Sequence, residues 1–349
     1  MPEDEGLPGC PISMSGPPAP TFDVYGFRFK LLGSSPWAID CLSKDFAFFR
    51  ATPTGGELPI EMLEGTPSFD GLPACEASVY TPRNVVYRNG TKTYLDYHGK
   101  GLGTHDLAGG GFQIVSQDPN LAYEASYLFL LSQVGQYLDK RRMHRIHALG
   151  MSLSGRAVLV LAPMGGGKST LGAGMLEYPD VKLLSDDSPY VDASGRLHAF
   201  PLHLGLLEGP KIQVPERNRR LINRMEFGPK ILVDYEYFSD RVCASADPGI
   251  VFLGSRTLSQ QCSIEPASFS AGVRAMISNS VVGLGLFHGL EFILQRSAWE
   301  LLQKVGLANS RLANCLRLLR RSKVYYLRLG RNQDVNAATV VEFARKVLL

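Results

Sequence analysis

Ala157-Val158-Leu159-Val160-Leu161-Ala162-Pro163-Met164-Gly165-Gly166-Gly167-Lys168-Ser169-Thr170 is the stretch from which the fold can be read. The apolar run 157–161 has the length of a buried strand, and Ser169 to Glu177 predicts a helix. Between them, residues 162–170 fit the relaxed phosphate-loop pattern Ala/Gly-x4-Gly-Lys-Ser/Thr, with Ala162 at the first glycine position. Glycines let backbone N–H groups curl around phosphate oxygens, and a helix N-terminus adds its positive dipole end. Lys168 adds a full charge for the β- and γ-phosphates of ATP, and the Ser169 hydroxyl suits Mg2+, which prefers oxygen ligands.

The strand expected over Val181–Ser185 ends in Asp186-Asp187, eighteen and nineteen residues beyond Lys168. In an α/β domain the carboxyl ends of strands share an edge with such a loop, so both motifs are expected at one site. One carboxylate is expected to hold Mg2+ and the other to take a proton from an attacking hydroxyl, and the sequence leaves their assignment open. Asp-Asp-Ser-Pro is also good material for a polar turn. His147, twenty-one residues before Lys168, is placed on a strand forming a hairpin with the one that feeds the loop. There it serves either as a hydrogen-bond donor or proton carrier or as a structural histidine, and nearby His144 has no evident purpose.

Together, His147-Ala148, the loop and Leu184-Ser185-Asp186-Asp187 resemble the kinase domain of the bacterial HPr kinase/phosphorylase family and its kinase-like relatives. Gly195 to Leu202 is similar to HPr-kinase-related proteins, including those of radical-SAM peptide-modification cassettes. The resemblance implies γ-phosphate transfer from ATP to serine, His147 near the phosphates, Asp186 or Asp187 as base and metal partner, and oligomers. It also implies a fold akin to phosphoenolpyruvate carboxykinase, with a mixed sheet. The family's Glu-Ile-Arg-Gly signature is replaced by Leu206-Leu207-Glu208-Gly209-Pro210-Lys211, where Glu208 offers the carboxylate and the arginine is missing. No phosphorylase motif is recognisable, so kinase activity alone is expected, on a substrate other than HPr.

Three parts are expected: a disordered arm over 1–20, a small β-rich domain over 21–142 ending in a helix, and an α/β phosphate-loop domain over 143–349. Strands are read across Val24 to Arg50, at Ala77–Tyr80, Val85–Tyr87, Thr91–Tyr97 and Phe112–Ser116, with a hairpin turn at Arg88-Asn89-Gly90. Apolar spacing predicts a helix over Leu121–Arg142. Further on come strands at Ile146–Ser152, Ile231–Tyr235, Ile250–Gly254 and Val324–Leu329, and helices at 267–279, 297–305 and Val335–Val347.

With 36 basic and 33 acidic side chains, the net charge of +3 gives no broad basic face for nucleic acid. The six cysteines, Cys10, Cys41, Cys75, Cys243, Cys262 and Cys315, form no CxxC pair and fit reduced thiols in the cytoplasm. Met1 to Pro20 lacks the pattern of a secretory signal, and Val281–Leu294 is too short and polar to span a membrane, reading instead as a buried helix. Arg217, Arg219, Arg220 and Arg224 read as solvated helix surface or a phosphate clamp. A kinase for a peptide or protein hydroxyl comes first; a small-molecule kinase and a non-catalytic ATP sensor are the alternatives.

Overall fold

The computed structural model describes residues 18–206, 214–225, 228–281 and 298–349. Strands β1 (Thr21–Val24), β2 (Phe27–Gly33), β3 (Leu58–Glu64), β4 (Ala77–Tyr80), β5 (Val85–Asn89), β6 (Lys92–Asp96), β7 (Gly101–Asp106) and β8 (Phe112–Ser116) form one mixed sheet. Its order is β1-β2-β3-β8-β7-β6-β5-β4, with β2, β3 and β8 parallel and the other pairings antiparallel. Helix α1 (Pro36–Asp45) makes the crossover from β2 to β3, and α2 (Pro119–Lys140) packs on the sheet. Alternate residues Ile60, Met62, Phe112 and Ile114 are buried, and the Phe112 ring stacks on Phe129 of α2 at 4.4 Å.

Several expected elements differ. After Gly33 the chain does not continue as strand but forms α1 and then a 3-10 turn, Ala47–Phe49. Ser35-Pro36 is the cause, because proline is pre-organised for the first helical turn. Asn89 pairs with Lys92, so the tight loop is Gly90-Thr91, one residue later than expected, with Gly90 at φ +57°. β3 and β7 were not anticipated. The strand expected over 146–152 is split into β9 (His144–Arg145) and β10 (Leu149–Leu153), leaving His147 in the bend between them.

The second mixed sheet adds β11 (Arg156–Leu161), β12 (Val181–Ser185), β13 (Tyr190–Val191), β14 (Leu197–His198), β18 (Ser245–Arg256), β19 (Ser263–Pro266) and β20 (Lys323–Leu329) to β9 and β10. β10 and β11 join through Ser154-Gly155, both at positive φ (49° and 77°), as a two-residue hairpin turn requires. β11, β18 and β20 are parallel, and β12 lies antiparallel to β10, so β11 and β12 end on the same edge. Val158 and Val160 of β11 face a core shared with α3 (Lys168–Met175) and α6 (Gln333–Leu348). Leu159 and Leu161 face a separate core with α4 (Phe269–Met276) and α5 (Ala298–Arg320). Burial on both faces explains why this strand is continuously apolar.

A three-stranded sheet, β15 (His203–Leu206), β17 (Gly228–Asp234) and β16 (Arg219–Arg224) in that order, lies between the two larger ones. Leu232 and Ile222 join the apolar cluster of the N-terminal sheet, whereas Leu204 and Val233 join that of α3 and α6. The arginine cluster is therefore strand and turn rather than helix. The Arg220 side chain is only 10% exposed: its Nη2 donates to Asp45 Oδ1, its Nε to Asp234 at 2.6 Å and its Nη1 to the Cys41 carbonyl at 2.8 Å. Asp45, fully buried at the end of α1, also accepts from Tyr123 Oη at 2.7 Å and His203 Nδ1 at 2.8 Å. Burial pushes the Asp45 carboxyl up, but the charge of Arg220 and the contact with His203 outweigh it and hold it below its ordinary value. Asp45→Asn is expected to lower the unfolding free energy in urea by about 3 kcal/mol at pH 7, since it removes one of the two buried carboxylates that neutralise Arg220. A depressed carboxyl stabilises above its unfolded pKa, so the gap between wild type and variant should close as pH falls through the folded value, below about 4.

Candidate functional site

Leu161 ends β11, and the chain turns through 162–167 before α3 begins at Lys168. Gly165 (φ +73°) and Gly167 (φ +90°) occupy left-handed conformations that side chains resist. Gly166 is needed for space instead, because a Cβ there would lie 2.8 Å from the Pro163 carbonyl oxygen. Pro163 accepts from the Gly166 N–H at 3.0 Å, closing the loop. No side chain caps α3, so its first-turn N–H groups face the loop with the dipole's positive end. Met164 stands exposed at the tip, and Thr170 begins the helix body.

Lys168 is only 7% exposed, and its ammonium meets three acceptors: the carbonyls of Ala162 (2.8 Å) and Pro163 (3.2 Å) and Nε2 of His147 (3.1 Å). An ammonium has only donors, so Nε2 accepts and the His147 proton resides on Nδ1, 3.0 Å from Asp187 Oδ1. The result is a continuous Lys168–His147–Asp187 chain. Beside it, Ser169 Oγ donates to Asp186 Oδ2 at 2.9 Å, and the Gly205 N–H donates to the same oxygen at 3.1 Å. Asp186 Oδ1 is buried with no hydrogen-bond partner among the described residues. Lys168, Ser169, His147, Asp186 and Asp187, picked out from the sequence, thus meet at one edge. Glu208 lies outside the described residues.

The two carboxyls are pushed apart. Burial raises Asp186, and the negative charge of Asp187 adds to this, while the positive charge of Lys230 opposes it. Asp187 is lowered: burial pushes it up, but the hydrogen bond and charge of His147, with Lys168 and Arg145, prevail. Asp187 is also the accessible one, its side chain 51% exposed, whereas Asp186 is buried. Two neighbours escaped the sequence reading. Tyr127 of α2 is within the field of Asp187 and packs on His203 at 5.9 Å, and Lys230 of β17 lies beside Asp186. Both come from distant segments, and no local pattern marks them.

His144 does have a purpose. Its Nδ1 meets Asp139 Oδ1 and its Nε2 meets Ser310 Oγ, both at 2.8 Å, which is the connectivity of a serine hydrolase relay. The imidazole is wholly buried, Asp139 is also paired with Arg311 at 2.6 Å, and Ser310 lies within helix α5 rather than on an exposed turn. This cluster ties α5 to the end of α2.

No protein-family model and no curated protein matches the chain. Burial holds the Lys168 ammonium below its ordinary value, and the charge of Asp187 partly offsets this. Asp187→Asn should therefore move the titration of Lys168, followed by carbon-13 NMR of labelled lysine, further down; an upward move would refute the proposed coupling.

Proposed function

We propose that this chain is an ATP- and Mg2+-dependent kinase that phosphorylates a serine or similar hydroxyl of a peptide or protein. The observation that carries this reading is the convergence of Lys168–His147–Asp187 with Ser169–Asp186 beside a glycine loop. In a phosphoryl transfer the protein mainly positions groups and neutralises charge. Loop N–H groups and Lys168 hold the phosphates, with Lys168 exchanging a carbonyl acceptor for a phosphate oxygen.

Mg2+ fits the donor set. Ser169 and Asp186 offer hard oxygens 2.9 Å apart, and the partnerless Asp186 Oδ1 is suited to a cation. When bound, Mg2+ neutralises charge on the β- and γ-phosphates. Asp187, exposed and kept ionised by His147, takes the proton as the acceptor oxygen forms its bond to phosphorus and the bond to the ADP oxygen breaks. His147 keeps Asp187 oriented and links it to Lys168.

The mixed sheet, the loop between β11 and α3 and the Asp pair following β12 support an HPr-kinase-like unit over 143–349. Residues 21–142 supply a β-rich accessory layer against it. The cysteines Cys41, Cys75, Cys243, Cys262 and Cys315 are free thiols, which supports a reducing, cytoplasmic setting. Among the described residues no helix is long and apolar enough to cross a membrane.

The test is transfer of γ-labelled phosphate from ATP to panels of peptides and small hydroxyl compounds. Lys168→Met should abolish labelling, and Asp187→Asn should slow it by about 10²–10⁴-fold with ATP still bound. ATP binding without transfer to any acceptor would replace the kinase with a nucleotide sensor.

A further inference from the structure

Resting on the phosphate-site reading above, we propose that Lys230 is a second phosphate-binding cation, delivered to the terminal phosphate by the β16–β17 hairpin through a gap left by Gly205. Lys230 lies across from Ile222 on the hairpin, and its side chain runs back over β15. A Cβ on Gly205 would lie 2.0 Å from Lys230 Nζ and 2.1 Å from Cε, so the end of the lysine occupies the space of the missing side chain. Gly205 has no left-handed φ to require glycine. Its role is to make room.

That position has a chemical consequence. The N–H of Gly205 bonds the same Asp186 oxygen that accepts from Ser169, so the ammonium seated against Gly205 is brought close to the Ser169–Asp186 pair. It has no hydrogen-bond or ion-pair partner among the described residues, yet its charge acts on both Asp186 and Lys168. Asp186 already accepts from Ser169 and the Gly205 N–H, and Asp187 is paired with His147, so the Lys230 ammonium is left to meet a further anion, such as a phosphate oxygen. The hairpin that presents Lys230 is fixed by Arg220, whose guanidinium is clamped between Asp234 and Asp45. Lys168 comes from the loop and Lys230 from the hairpin, through the space at Gly205, so in this proposal the loop and Lys168 hold the phosphates and Lys230 adds a contact at the terminal one.

Binding of ATP and ADP by the full chain distinguishes this role from that of a plain counter-ion to Asp186. Lys230→Met should weaken ATP by about tenfold or more, the worth of one charge-assisted hydrogen bond, while ADP changes less than about twofold. Gly205→Ala, which keeps the lysine but fills its seat, should reproduce the selective loss, with thermal melts confirming that both variants fold. An unchanged ratio of ATP to ADP affinity in folded Lys230→Met overturns the assignment to Lys230 alone. Failure of the wild type to bind either nucleotide overturns the phosphate site itself, and Lys230's part in it.

Discussion

A buried ammonium tolerates no idle N–H, and Lys168 meets that demand with three acceptors on two pieces of chain. Two acceptors are carbonyls of its own loop, which the bond draws into a tight curl; the third is His147, in the bend before β10. Because the lysine can only donate, the imidazole is held in one tautomer, and its remaining N–H must find an acceptor, which is Asp187. One charge therefore fixes the loop, the bend between β9 and β10 and the turn after β12. The Ala148 N–H bond to the Asp187 carbonyl, at 3.1 Å, locks the last two together through the backbone as well. These side chains and turns therefore hold one another in place.

The second constraint acts from the other side. Leu232 of β17 and Ile222 of β16 pack into one neighbouring apolar cluster and Leu204 of β15 and Val233 of β17 into the other, so β17 cannot shift without opening a cavity in one of them. A polar knot adds direction to this packing: Arg220, Asp45, Asp234, His203 and Tyr123 are mutually satisfied within a low-dielectric interior. His203 and Gly205 are two residues apart on the same strand. The knot that seats one therefore sets the position of the other, whose N–H aims Asp186.

Much of this was legible in the sequence, for identifiable reasons. The strand-loop-helix around Lys168 is encoded by contiguous residues whose types answer local demands, and β12 and β8 keep the bounds that their apolar runs indicated. β7 was hidden because Gly101 and Gly103 look like loop residues. Their glycines are there for clearance, since a Cβ would lie 2.6 Å from Leu121 and 3.2 Å from Phe112 respectively. α1 was hidden by its neighbours: Phe46 and Phe49 suggest strand, although Ser35-Pro36 carried a helix start that outweighs them. The ion pairing of Arg220 could not be read, because its partner Asp45 is 175 residues away and nothing local reports it. Lys230 was hidden too, because Gly205, whose open space its side-chain end fills, lies on another strand.

The N-terminal layer bears on function through this geometry. Phe46 and Phe49 meet Phe200 at 6.4 and 5.6 Å, and the Tyr25 hydroxyl donates to the Ala199 carbonyl at 2.6 Å, just ahead of β15. Removing that layer would expose Phe200, Leu202, Ile222 and Leu232, each worth about 1.5–3 kcal/mol of burial, and would leave Arg220 without Asp45. The strand that aims Asp186 would then keep only one of its two packed faces. A layer attached in this way is part of the scaffold that holds β15 and, through the Gly205 N–H, Asp186.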